Sequence, residues 1–92
     1  MHHWTYDEDE LCCKEYFKTY VDEKSAMPLN DFVRHLALKL PDIPKNSLRR
    51  KVHNIKNLSL EAGLEDSLQS KPLSNCSQQN RRVFASIYQP FA

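Results

Sequence analysis

Pro28-Leu29-Asn30-Asp31-Phe32-Val33-Arg34-His35-Leu36-Ala37-Leu38-Lys39-Leu40-Pro41 is the stretch on which the fold turns. Leu29, Phe32, Val33, Leu36, Ala37 and Leu40 recur at spacings of three and four, the period of a helix that buries one face. Pro28 suits the first turn, where its missing N–H is an orphan anyway, and Pro41 stops the helix. The expected helix covers 29–39. A second follows at once. Asp42-Ile43-Pro44-Lys45-Asn46 reads as a tight turn, with Asn46 and Ser47 as candidate caps. Leu48, Val52 and Ile55, possible to extend by Leu58, then form the inner stripe of a helix over 47–58. Helix, short turn and helix is the order of a helix-turn-helix.

Working outward, Thr5-Tyr6-Asp7-Glu8 is a capping box that starts a helix over 6–23. The acids at 7–10 complement the positive end of its dipole. Trp4 precedes the cap and can fold back onto the first turns, and Leu11, Cys13, Phe17, Tyr20 and Val21 trace the buried stripe. Ser77 is the expected cap of a last helix over 78–89, with Val83, Phe84 and Ile87 buried and Pro90 as its stop. Between 59 and 68 the pattern is ambiguous: Leu60, Leu64 and Leu68 keep helical spacing, but Gly63 interrupts them. That single glycine argues against hairpins, whose turns favour Asn-Gly, Asp-Gly or Gly-X pairs. The expectation is an all-α fold: one domain over 1–92, a compact bundle of about four helices with a helix-turn-helix-like core.

Composition narrows the function. The serines lack a G-x-S-x-G elbow, and one glycine builds no phosphate-cradling loop. Cys12 and Cys13 on an amphipathic helix read as core, so the chain is expected not to be an enzyme and to need no cofactor. No CxxC or HxxxH pair is present, so no metal site is expected from His2, His3, Cys12 and Cys13. An odd count of three cysteines, two of them adjacent, points to a reduced, cytoplasmic protein. No apolar run or signal-peptide pattern suggests a membrane.

The net charge of +1 hides an asymmetry. Residues 1–42 carry nine acids against five bases, a balance of −4; residues 43–92 carry eight bases against three acids, a balance of +5. The basic half holds the helix at 47–58, whose first residues would meet base edges in a helix-turn-helix. The candidate readers are Asn46, Ser47, Arg49 and Arg50, with His53 one turn on. Arginine offers guanine a planar fork, and asparagine can pair bidentately with adenine. Lys45, Lys51 and Lys56 would serve phosphates, and Arg81 and Arg82 would add a second backbone contact. Double-stranded DNA is the expected partner, and five or six phosphate contacts would give a log–log salt slope of roughly −4 to −5.

Two families resemble parts of the chain. Trp4-Thr5, Glu10-Leu11 and Tyr16 resemble the opening of Myb/SANT-type helical domains. Ser47-Leu48-Arg49-Arg50-Lys51-Val52-His53-Asn54-Ile55-Lys56-Asn57-Leu58, with Gly63-Leu64 and Asn80-Arg81-Arg82-Val83-Phe84, is similar to the helical module N-terminal to bacterial HNH-type restriction endonucleases. The string matching that module's K-x-x-N-[FI] is Lys51-Val52-His53-Asn54-Ile55. The resemblance implies a DNA-associated role tied to restriction or mobile elements, such as a small bacterial or phage regulator. No HNH motif stands in these residues, so cleavage is not carried over. Within the string, Asn54 reads as structural, bonding to the following turn.

A different class also fits: a small phage or mobile-element protein that binds a protein partner and inhibits or recruits it, for instance a host-defence enzyme. Asp7, Glu8, Asp9 and Glu10 would then occupy the partner's nucleic-acid groove. A third reading is an isolated domain of a larger enzyme. Homodimerisation through Phe84, Ile87, Tyr88 and Phe91 stays open, since the same residues equally suit the core.

Overall fold

The computed structural model describes residues 2–88. Helix α1 runs Tyr6–Tyr16 and passes into a wider π turn over Phe17–Asp22; α2 is Leu29–Lys39, α3 is Lys45–Glu61 and α4 is Gln78–Tyr88. No strand occurs among the described residues. The fold is an all-α bundle with a radius of gyration of 12.0 Å, about the value for a compact chain of this length.

The capping box forms as its residues dictate. Glu8 N–H donates to Thr5 Oγ1 at 3.2 Å, and Thr5 N–H donates to Glu8 Oε1 at 2.9 Å. The expected helix over 6–23 is not uniform, however. Phe17–Asp22 form a π turn, closed by Glu23 N–H on the Lys18 carbonyl at 3.0 Å. The wider turn lies where the helix must serve two neighbours. Tyr16 and Tyr20 pack on Phe32 of α2, with ring centroids 6.3 and 5.0 Å away, whereas Phe17 packs on Phe84 of α4 at 5.3 Å. Lys24 then turns the chain in the left-handed region (φ 52°), and its ammonium is held by the Glu65 carbonyl.

Helix α2 spans the residues its periodicity predicts. Helix α3 is longer at both ends than the expected 47–58. It begins at Lys45 on Pro44, so neither Asn46 nor Ser47 is its cap. It ends in a Schellman turn, with Gly63 N–H on the Leu60 carbonyl (3.1 Å) and Leu64 N–H on the Ser59 carbonyl (3.0 Å). Gly63 sits at φ +72° and terminates the helix. Leu60 is therefore exposed in the last turn of α3, and Leu68 is buried from a non-helical segment. Ser77 caps α4 by accepting from Asn80 N–H at 3.0 Å.

The core gathers Tyr16, Tyr20, Phe32, Leu36, Leu48, Val52, Ile55 and Val83, each fully buried. Cys12 and Cys13 belong to it too, and burial pushes both thiols up to about 12. Phe84 is buried as well, with Ile87 and Tyr88 packed against the same core. Ile87 and Tyr88 are half-buried in that packing, and Phe91 lies outside the described residues.

Candidate nucleic-acid interface

Helices α2 and α3 pack on one another across the connection 40–44. Pro44 supplies the first turn of α3 with a carbonyl, which accepts from Ser47 N–H (2.9 Å) and Leu48 N–H (3.1 Å). No side chain caps this end and no acid stands in its first turn. The positive end of the helix dipole is therefore left without a protein carboxylate. Lys45 and Asn46 are exposed there and Ser47 is half-buried. Arg50 is exposed and makes no hydrogen bond or ion pair among the described residues. Arg49, half-buried, donates to Asn30 Oδ1 of α2 at 2.8 Å, which anchors its guanidinium across the two helices.

Two of the expected phosphate ligands are elsewhere. Lys51 is 5% exposed, its ammonium 2.6 Å from Asp9 Oδ1 and 4.6 Å above the Trp4 ring. Gln79 completes the cluster by donating to Asp9 Oδ2 (2.6 Å) and to the Trp4 carbonyl (2.9 Å). Lys56 pairs with Asp66 at 2.7 Å, and Asp66 also accepts from the Ser59 hydroxyl and from Leu68 N–H. The physical reason is the breadth of the buried arc. Neighbours close on α3 from several sides, so Lys51, Asn54 and Ser59 lie inside along with the apolar stripe. Burial raises the Asp66 carboxyl, but the hydrogen bonds from Lys56 and Ser59 outweigh it and hold the group below its ordinary value.

His53 is likewise turned to the protein. Its Nδ1 lies 2.8 Å from both the Lys71 carbonyl oxygen and the Ser70 hydroxyl. Asn54 donates through Nδ2 to the Leu73 carbonyl at 2.7 Å, the structural role its position suggests. Together they lace the segment before α4 to the side of α3. Arg81 is bridged to Glu61 at 3.0 Å on the surface, while Arg82 is exposed and unpaired among the described residues. Of the ten sequence candidates, Lys45, Asn46, Ser47, Arg49 and Arg50 are thus brought together at one helix end. Lys51 is spent inside, half-buried His53 and Lys56 are tied to other parts of the chain, and Arg81 and Arg82 stand on α4.

The acidic first helix also changes character. Asp9 is fully buried against Lys51, and Glu8 is taken by the capping box and by His2 at 2.9 Å. No three His, Cys, Asp or Glu side chains converge on a metal-sized site among the described residues, and no described helix is long and apolar enough to cross a membrane.

Beside the N-terminal half of α3 lies a cavity of about 400 Å³, bounded by the segment 2–4, by α3 and by the chain entering α4. Its wall includes Trp4, Ser47, Arg50, Asn54 and Asn75. The sequence carries no signal for it, since Trp4 before the helix cap stands in the ordinary position of a hydrophobic staple. Set against known proteins, the chain matches no family model, no curated protein and no solved structure.

Proposed function

We propose that this chain is a small DNA-binding protein without chemistry of its own, which meets the duplex with the first two turns of α3. The observation that carries this reading is the state of that helix end: uncapped, free of acids, and presenting Lys45, Asn46, Arg49 and Arg50. Other basic residues of the candidate set are neutralised within the fold, as Lys51, Lys56 and Arg81 show. A helix N-terminus with unsatisfied N–H groups favours phosphate, and α2 stands before it as the first helix of a helix-turn-helix does. Asn46 and Arg50 are the base readers; Lys45, Arg49 and Arg82 hold the backbone. The competing idea of an acidic helix in a partner's groove loses Asp9 to the interior and Glu8 to the cap.

The test is a mobility-shift or anisotropy titration with random-sequence duplex at low salt. Binding is expected, and Arg49→Ala with Arg50→Ala together should weaken it at least about tenfold, the equivalent of 1.4 kcal/mol. Lys51→Met is not a fair comparator, because it disturbs the fold. Absence of binding to any duplex, or an unchanged affinity in the double variant, would overturn the proposal.

A further inference from the structure

The cavity beside α3 has a chemical character of its own. At about 400 Å³ it falls within the size range of small-molecule sites. None of its lining residues is a carboxylate, although the chain carries twelve acids. Two lining residues are each already paired with an acid, Lys51 with Asp9 and His2 with Glu8. Arg50 reaches the cavity with an unpaired guanidinium, and the Ser47 hydroxyl lies one turn before it on α3. The site therefore favours an anion that accepts several hydrogen bonds.

A second observation says what else the ligand carries. Asn54 is only 7% exposed, yet its amide is bonded through Nδ2 alone, to Leu73 and, weakly, to Asn75 Oδ1 at 3.4 Å. Asn54 lines the cavity, and its Oδ1 has no hydrogen-bond partner among the described residues. Trp4 adds an aromatic ring with the Lys51 ammonium 4.6 Å over one face and the His2 ring edge-on at 5.0 Å, and Gln79 fixes its backbone. An anion-binding arginine, a planar aromatic ring and an open amide acceptor together match a phosphate joined to a flat, hydrogen-bonding heterocycle.

We infer that the cavity binds a nucleoside 5′-monophosphate group, with the phosphate on Arg50 and Ser47 and the base between Trp4 and Asn54. The group comes either as a free nucleotide or as the 5′-phosphorylated end of a strand; the chemistry recognised is the same. This site does not depend on duplex binding, although Arg50 is common to both.

Trp4 is the chain's single tryptophan, so its fluorescence reports on the cavity directly. The full chain is titrated with each of the common nucleoside 5′-monophosphates, with inorganic phosphate, and with a short single strand carrying or lacking a 5′-phosphate. A saturable change with at least one nucleotide or with the phosphorylated strand is expected, at a Kd below about 1 mM. Free nucleotide alone identifies the small ligand; the phosphorylated strand alone identifies a strand end. Arg50→Gln should weaken that binding about tenfold, and Asn75→Phe, which fills the cavity, should abolish it while the circular dichroism stays helical. No saturable change with any probe would overturn the inference. So would inorganic phosphate binding as tightly as the nucleotide, or affinity unmoved in both variants. Arg49→Ala separates the two sites, since it should weaken duplex binding and leave nucleotide binding as it was.

Discussion

Lys51 and Asp9 show how much one pair of residues can redirect the reading of a helix. Their ion pair is almost wholly out of water, where losing one partner strands the other's charge at a cost of about 3–5 kcal/mol. A domain of this size has only about 5–14 kcal/mol of stability in all. Lys51→Met and Asp9→Leu should each lower stability by about that 3–5 kcal/mol in urea denaturation. The double variant should recover most of it; two additive losses would show that the residues do not act as a pair. Asp66 makes a second prediction, with a definite sign. Its carboxyl is held below the ordinary value of 3.8 in the folded chain, so its contribution is full above the unfolded pKa and is lost as pH falls through the folded one. Thermal melts from pH 5 down to pH 2 should therefore show a steeper acid loss in the native chain than in Asp66→Asn. Equal slopes would contradict the pairing with Lys56. Neither pair is visible in the sequence. Lys51 and Lys56 are adjacent to solvent-facing neighbours in a helical projection, and only the packing of α1 and of the 62–68 segment onto α3 turns them inward.

At the level of elements, the sequence was most legible where local rules act alone. The amphipathic stripe of α2, the capping box of Thr5 and Glu8, and the Ser77 cap of α4 are all short-range devices, and all are found where their residues stand. The ends of α3 were less legible, for two different reasons. At its start, Pro44 can serve as the flanking residue and leaves Asn46 and Ser47 inside the helix. At its end, an isolated glycine reads equally as an interruption or as a C-terminal stop, and the bonds to Leu60 and Ser59 decide for the stop. The π turn after Tyr16 had no sequence signal, because it answers to the placement of α2 and α4 rather than to its own residues. Gly63 supplies the check at this scale. A Cβ there would meet nothing within 4 Å, so the backbone at φ +72° is the whole penalty. Gly63→Ala should cost about 1–2 kcal/mol, or roughly 4–16 °C in melting temperature for a domain this small. An unchanged melting temperature would argue against the left-handed stop.

For the molecule as a whole, the opposite charges of the two halves are partly folded into each other. Asp9 from the acidic half neutralises Lys51 from the basic half, and Lys56, Arg81 and their acids pair within the second. Of the eight bases in the second half, Lys45, Arg49, Arg50, Lys71 and Arg82 have no acid partner among the described residues, fewer free cations than the linear charge count promised. The candidate interface was half legible: the basic helix and the helix before it could be read from residue order, but which cations face outward depends on long-range packing. This distinction has a numerical consequence. The three proposed backbone contacts, Lys45, Arg49 and Arg82, at about 0.9 counterions each predict a log–log salt slope of about −3 for duplex binding. The decisive measurement is the affinity for random duplex by anisotropy across a series of salt concentrations. A slope near −3 is the predicted result. No detectable binding, or a slope near zero, would contradict the claim that the N-terminal turns of α3 form a DNA-contacting face.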